Sequence, residues 1–466
     1  MTVSRRGFLR STGALGLLSA GGLTGALASM PALAANTTGY RALICLYLYG
    51  GMDCYDTVLP YDQASYDAYA ALRAPLLDQY RDLDRSRDRD ALLPLTPSNA
   101  GDFGGRQFAL PSELAPLHSA FQAGNAAIMG NVGPLIRPTT RSDFFNEGHD
   151  LPPRLFSHND QQSVWMSAEP EGARFGWGGQ FADAALNSGA NQIPLFTSMS
   201  PAGNNVWLSG DVARQFPLGL DGPSNLVALQ WPGYFGAFDE SIRPILQQHF
   251  EQQGVSPSNY LQSDVADAMR RSLDANAQYA AAREEVPALT TEFGQDYLSQ
   301  QFRAVAEMIS LRDVLGASRQ VFFVGMGGFD THDNQAQALP NLQARFAGAI
   351  ATFFQAMQEI GAQNEVTVFT ASDFGRTLTV NGDGTDHGWG AHHFVVGGAV
   401  NGGQIYGDPG LYTPEHAQDS GNGRLIPTLS VEQYAAPLGR WFGLNETELN
   451  AALPGLANFA TTPNVV

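Results

Sequence analysis

The chain has 466 residues, a formal net charge of −19 and 26 basic residues, all of them arginine. Without lysine there is no Schiff-base amine for pyridoxal phosphate or a carbonyl substrate, and no phosphate-loop ammonium for a nucleotide. So acidic a chain lacks the basic stripe that displaces counterions from nucleic acid, and an anionic membrane surface repels it.

Ser4-Arg5-Arg6-Gly7-Phe8-Leu9-Arg10 opens the chain, an apolar small-residue stretch follows over 13–30, and Ala32-Leu33-Ala34 supplies a cleavage site. This is the grammar of a twin-arginine export signal over residues 1–34, with retention as an anchor the alternative. It implies a periplasmic or extracellular protein. The signal holds three arginines and no acid, so its removal takes the net charge from −19 to −22. No mature segment has the roughly 18 consecutive apolar residues of a membrane span.

Residues 35–466 read as a single α/β domain. The run 41–49, Arg41-Ala42-Leu43-Ile44-Cys45-Leu46-Tyr47-Leu48-Tyr49, is apolar without alternation and stops at Gly50-Gly51, as a strand buried on both faces does. Cys45 and Cys54 read as buried thiols rather than a disulfide. Residues 81–90 alternate in charge sign and read as a solvated surface segment. A second buried strand covers 126–132. Residues 195–240, rich in Gly, Pro, Asn and aromatics, suggest an irregular insertion or cap, and 260–315 has helical spacing. Further strands are expected at 320–324, 366–370 and 394–398, with a helix from about residue 342 to 360. Strands alternating with helices predict a mostly parallel sheet covered on both faces.

The chemistry collects where strands end. Three apolar runs close on aspartate, at Asp53, Asp330 and Asp373, and His332, His387, His392 and His393 follow in the C-terminal part. Ligands of open α/β sheets bind beyond the carboxyl ends of the strands. Carboxylates and imidazoles on one rim suit a divalent cation: Zn or Mn, or Ca or Mg where oxygen dominates. Ser157 stands at the expected start of a helix, where it is either a nucleophile or a cap, and His158 beside it is the alternative reactive group. Arg376, three residues after Asp373, either grips an anionic substrate or pairs with the acidic rim. Asn381-Gly382-Asp383-Gly384-Thr385-Asp386 lacks the later glutamate of a calcium loop and reads as a glycine turn.

Gly50-Gly51 with Asp53, Phe156-Ser157-His158 with Gln161 and Trp165, Gly328-Phe329-Asp330-Thr331-His332, Ser372-Asp373-Phe374-Gly375-Arg376-Thr377, and Asp386-His387-Gly388-Trp389-Gly390 before His392-His393 together resemble the domain-of-unknown-function 1501 family. The resemblance runs from about residue 40 to 410. It implies kinship with the alkaline phosphatase and sulfatase superfamily. That means an alkaline phosphatase-like α/β/α sandwich with a mostly parallel central sheet, loop-rich insertions and one or two metals. It also implies roles. Asp53 would be an acidic ligand, and Asp330 and His332 a central pair closed by a histidine from the His387, His392, His393 segment. Asp373 would join Asp53 at a second metal beside Ser157 as nucleophile. The chain departs from the superfamily in having Phe374 where many phosphatases place a histidine. Its central pair is Asp-x-His rather than more widely spaced, and it lacks both the Cys-x-Pro-x-Arg signature and the lysines of sulfatases. The resulting expectation is an exported, metal-dependent hydrolase of small phosphate or, less readily, sulfate esters. The alternative is a catalytically degraded envelope binding or assembly protein on the same fold, working with a co-exported partner.

Overall fold

The structure is a computed structural model, and it describes residues 34–223, 236–238, 240–242, 244–245, 248 and 260–466. The expected export signal, apart from Ala34, lies outside the described residues, as does part of the 195–240 segment. Residues 34–466 form one unit.

The strands of its central sheet and of one hairpin are, in chain order, β1 (Arg41–Leu48), β2 (Ala126–Gly133), β3 (Ser198–Ser200), β4 (Phe216–Gly219), β5 (Gly222–Pro223), β6 (Arg319–Met326), β7 (Val366–Ser372), β8 (Arg376–Val380), β9 (Thr385–His387), β10 (Ala391–Gly397), β11 (Ile405–Tyr406) and β12 (Leu429–Ser430). The central sheet runs β11-β2-β10-β7-β1-β6-β3-β4-β5, with β12 also on β2, while β8 and β9 form a separate hairpin. Its middle is parallel: β1 pairs with β7 on one side and β6 on the other, Leu48 aligning with both Ser372 and Met326. β10 runs against β7 and β2 runs against β10, so the sheet is mixed but mostly parallel.

The unbroken apolar run of β1 is explained by two cores. Ala42, Ile44, Leu46 and Leu48 join the core on one face, and Leu43, Cys45 and Tyr47 the core on the other. Alternate residues of a strand point to opposite faces, so a sheet covered on both sides requires apolar residues at every position. The helices α1 (Gln63–Leu72), α2 (Ala74–Asp82), α3 (Ala115–Gln122), α4 (His158–Ser167), α5 (Trp177–Asn187), α6 (Tyr260–Glu285), α7 (Tyr297–Ser310), α8 (Gln335–Glu359), α9 (Val431–Phe442) and α10 (Glu446–Ala452) supply the covers. Tyr69, Leu77, Phe121, Phe302 and Phe346, from α1, α2, α3, α7 and α8, fill the first core. Trp165, Phe181, Tyr434 and Leu449, from α4, α5, α9 and α10, fill the second. Among the described residues no helix is long and apolar enough to cross a membrane.

Three expectations need correction. Within 195–240, β3 and β4 extend the main sheet beyond β6 instead of standing apart as an insertion. The charge-alternating segment 81–90 is not wholly solvated: Arg87 is fully buried, bonded to Glu113 (2.6 Å) and Gln343 (2.9 Å). The helix expected from residue 342 starts at Gln335, ahead of Pro340, because Asp383 accepts the backbone N–H groups of Asn334 and Gln335 that a helix start leaves open. Both cysteines are free and buried, as their apolar contexts predict.

Candidate metal centre

The shared register of β1, β6 and β7 brings their carboxyl ends to one rim. Asp373 directly follows β7, Asp330 lies four residues beyond β6, and Gly50 turns the chain after β1. Gly50 adopts φ +114°, and a Cβ there would come within 2.3 Å of the Asp330 nitrogen, so only glycine lets the two loops touch. The β8–β9 hairpin adds His387, its turn closed by Asn381 N–H on Gly384 O, which bears out the glycine-turn reading. The first residue of α4 adds His158.

These residues converge. His158 Nδ1 lies 2.6 Å from Asp373 Oδ2, and its Nε2 lies 3.5 Å from Asp330 Oδ2. His387 Nδ1 lies 2.8 Å from the Phe156 carbonyl oxygen, and its Nε2 lies 3.3 Å from Asp330 Oδ1. His332 Nε2 lies 3.1 Å from Asp330 Oδ1 and 2.8 Å from His387 Nε2, with its Nδ1 3.4 Å from Asp386. One ligand atom each of His158, Asp330 and His387 falls within 4.8 Å of the others.

The outer partners decide what these imidazoles offer. A carbonyl oxygen only accepts, so His387 Nδ1 carries the proton and a neutral ring leaves Nε2 with its lone pair. The Asp373 carboxylate does the same for His158. Such outer acceptors fix tautomer and ring orientation in metal-binding histidines. The donor set therefore fits a divalent cation, with His158 and His387 supplying nitrogen and Asp330 oxygen, while His332 is hydrogen-bonded to His387 beside them.

Electrostatics follow the same wiring. The Asp373 hydrogen bond, joined by the Asp373 and Asp330 charges, raises the His158 pKa against the effect of burial. Burial lowers that of His387, with the Arg376 and His158 charges adding to it. For Asp330 burial acts upward, but the hydrogen bond and charge of Arg376 outweigh it and hold the carboxyl below its ordinary range.

Phe156 is held in the left-handed region, φ +73°, which an aromatic residue seldom adopts. Three contacts hold it there: its carbonyl on His387, its ring 5.3 Å beneath the Arg424 guanidinium, and the apolar group around Trp389 and Ile426. Backbone strain of this kind persists where surroundings over-determine it, and here it aims an acceptor at a ring nitrogen. Phe374 lies against the rings of His158 (4.8 Å between centroids) and His387 (4.6 Å), and so packs beside the imidazoles rather than supplying a ligand.

The remaining expected residues lie elsewhere or act differently. Asp53 is buried beside Asp56, both held by Arg73 at 2.6 and 2.8 Å, and Gln335 also donates to it. Its carboxylate neutralises a buried guanidinium and does not reach the cluster. His392 and His393 are adjacent in β10, so they face opposite sides of the sheet and cannot share a site. His392 Nδ1 accepts the Asn131 N–H, and His393 packs against Trp165. Asp373 holds His158 instead of joining Asp53 at a second metal. Ser157 donates to Asp160 (2.8 Å), which occupies its hydroxyl away from the cluster. Arg376 is fully buried and bound to Asp330 (2.7 Å), to the Gly50 carbonyl (3.2 Å) and to Thr385, so it is a clamp on Asp330 and not a free grip for an anion. Sequence reasoning missed Arg73, Gln335, Gln162 (which donates to Asp373 at 3.0 Å) and the Phe156 carbonyl; only the proximity of Gln162 to the Phe156-Ser157-His158 string could have signalled its role.

The family profile described as "Protein of unknown function (DUF1501)" matches residues 40–450. The chain belongs to the DUF1501 family. That match contains His158, Asp330, His332, Asp373 and His387, the whole cluster with its Asp373 support. No curated protein matches the chain. Two crystal structures resemble it weakly: "Ps i-CgsB" (TM-score 0.29) and "Ps i-CgsB in complex with k-i-k-neocarrahexaose" (TM-score 0.30). Each is 7% identical, over 88% of this chain and 74% of theirs.

Proposed function

We propose that this DUF1501 protein is an exported metal-dependent hydrolase of small anionic esters, phosphate esters foremost, built on an alkaline phosphatase-like α/β/α sandwich. One observation carries the proposal: His158 and His387 turn Nε2 toward Asp330 while their Nδ1 atoms are taken up by Asp373 and the Phe156 carbonyl. Two imidazole nitrogens with one carboxylate favour Zn over Mn, Ca or Mg, which suit oxygen ligands. A cation held there would supply the positive charge that an anionic ester needs as its bond breaks. The chain supplies the rest. Asp373 orients His158, Arg376 clamps Asp330 and keeps it ionised, and the β8–β9 hairpin presents His387. With Ser157 engaged by Asp160, water is the attacking group that fits the site.

The test is a panel of aryl phosphate, phosphodiester and sulfate esters, run after chelation and again after restoring Zn or Mn. Activity that disappears with chelation, returns with metal and is abolished by His158→Ala supports the reading. Turnover indifferent to chelator refutes it. A second reading, the degraded binding or assembly protein, is favoured by the occupied Ser157 hydroxyl and the clamped Arg376. Metal binding with no turnover of any ester in the panel would select it.

A further inference from the structure

Gln335, the first residue of α8, is fully buried and uses every hydrogen-bonding position of its side-chain amide. Its Nε2 donates to Asp53 Oδ2 (2.7 Å) and Asp56 Oδ2 (3.1 Å). Its Oε1 accepts from the hydroxyls of Thr331 (3.1 Å) and Thr385 (2.7 Å). A primary amide has two donors and two acceptor sites, so this one is saturated, and the carboxylates, which only accept, fix which end is which. The two ends meet different parts of the molecule. Thr331 stands between Asp330 and His332. Thr385 stands in β9 two residues before His387, so the two side chains leave the strand on one face. Thr385 also accepts from Arg376 at both its hydroxyl (3.3 Å) and its carbonyl, and Arg376 bonds Asp330 (2.7 Å). The amide oxygen thus joins the loop that carries Asp330 to the hairpin that carries His387. At the nitrogen end Arg73 holds Asp53 (2.6 Å) and Asp56 (2.8 Å), and the Tyr69 and Tyr80 hydroxyls donate to Asp56 (2.5 and 2.8 Å).

We propose that Gln335 is a positioning residue for the candidate metal centre, a role that rests on reading that cluster as a cation site. It fastens the Asp330 loop to the His387 hairpin, with the buried Asp53–Asp56–Arg73 group as its fixed anchor. Its bonds go to neither ligand, so it acts through Thr331, Thr385 and Arg376. Ligands of a metal have to be held within about 0.5 Å of their working geometry by residues that are themselves locked. Gln335 is locked because moving its amide would strip a donor from two buried carboxylates, and a buried charged group left short of a partner is costly. Asp53 then serves the site at one remove: the Gly50-Gly51-x-Asp53 string holds the residue that holds the ligand loops. No other side chain of this length makes the same four bonds. Glutamate would set a third carboxylate against Asp53 and Asp56, and methionine bonds neither the carboxylates nor the threonines.

The test compares Gln335→Met, Thr385→Val and Thr385→Ser with the wild type, by crystallography of the metal-free proteins and by calorimetric titration with Zn. Asp330 Oδ1 and His387 Nε2, 3.3 Å apart in the wild type, should separate by more than about 0.5 Å in metal-free Gln335→Met and Thr385→Val. Zn affinity should fall about 10-fold or more in both, the scale of a lost outer-shell partner. Thr385→Ser keeps the hydroxyl and should retain both the separation and the affinity. A residue that only stabilises the fold would lower the unfolding midpoint in Gln335→Met and leave separation and affinity as they are; that result overturns the proposal, as does Thr385→Ser impaired as much as Thr385→Val. Should Gln335→Met not fold, Thr385→Val against Thr385→Ser decides. A wild type that binds no Zn refutes the proposed function, and the metal-free separations alone then decide the role of Gln335.

Discussion

His158 shows how much of the site hangs on one contact. Its ring is oriented by Asp373, a fully buried carboxylate that also accepts from Gln162 and the Gly50 N–H. Asp373→Asn removes the charge and weakens that hold while leaving the direct ligands intact. Such outer-shell changes cost about 10- to 100-fold in metal affinity, and that loss is what calorimetric titration of the variant should read. Ser157→Ala, by contrast, should leave ester turnover within about threefold of wild type, because the hydroxyl serves Asp160 and caps nothing, so its loss costs one hydrogen bond, about 1 kcal/mol of stability. At this scale the sequence carried Asp330, His332, His387 and His158, because each stands in a string that breaks an apolar run. It could not separate them from Asp53, whose strand-end position is equally apt. Arg73, the residue that claims Asp53, is twenty positions away and nothing marks the pairing. His392 and His393 were misleading because adjacency in sequence means opposite faces in a strand.

Elements fix what those residues can do. β10 carries His392 and His393 fully into the interior, and burial drives their pKa values down to about 4 and about 3 from an ordinary 6.5. Between those values the unfolded chain binds protons that the folded chain does not, so stability rises with pH there. The contribution is complete above about pH 6.5 and is lost as pH falls toward the folded pKa values; at pH 5 each histidine removes roughly 2 kcal/mol. Urea denaturation from pH 7 to 4.5 should show this decline, and His393→Phe should lessen its slope by about one proton. A slope unchanged in that variant would mean that His393 takes no part. The strands were legible because β1, β2, β6, β7 and residues 394–397 of β10 are largely apolar on both faces, and length separates such runs from helices. β3 and β4 were not: three and four residues among prolines and glycines give no periodicity, and only the exposed edge of β6 shows why they pair there.

For the molecule as a whole, charge is the dominant fact. A chain at −19, with no lysine and its site arginine clamped on Asp330, offers an anionic ester little attraction apart from the metal centre. Long-range repulsion slows encounter and is screened by salt, with a Debye length of about 10 Å at 0.1 M. Turnover at low substrate should therefore increase as ionic strength is raised from about 0.01 to 0.1 M, and more for a dianionic monoester than for a monoanionic diester. A decrease would point to a cationic approach surface. The α/β class and two-sided sheet follow from the pattern of apolar runs, but the long-range pairings that gather β1, β6 and β7 at one rim are tertiary facts.

The proposed function stands on a divalent cation held by His158, His387 and Asp330. Elemental analysis of the purified chain, paired with Zn and Mn titration of the chelated protein, tests it most directly. One tightly bound cation per chain is expected, lost in both Asp330→Ala and His158→Ala and retained in Ser157→Ala. A protein that binds no divalent cation, or binds it undiminished in the first two variants, would contradict it.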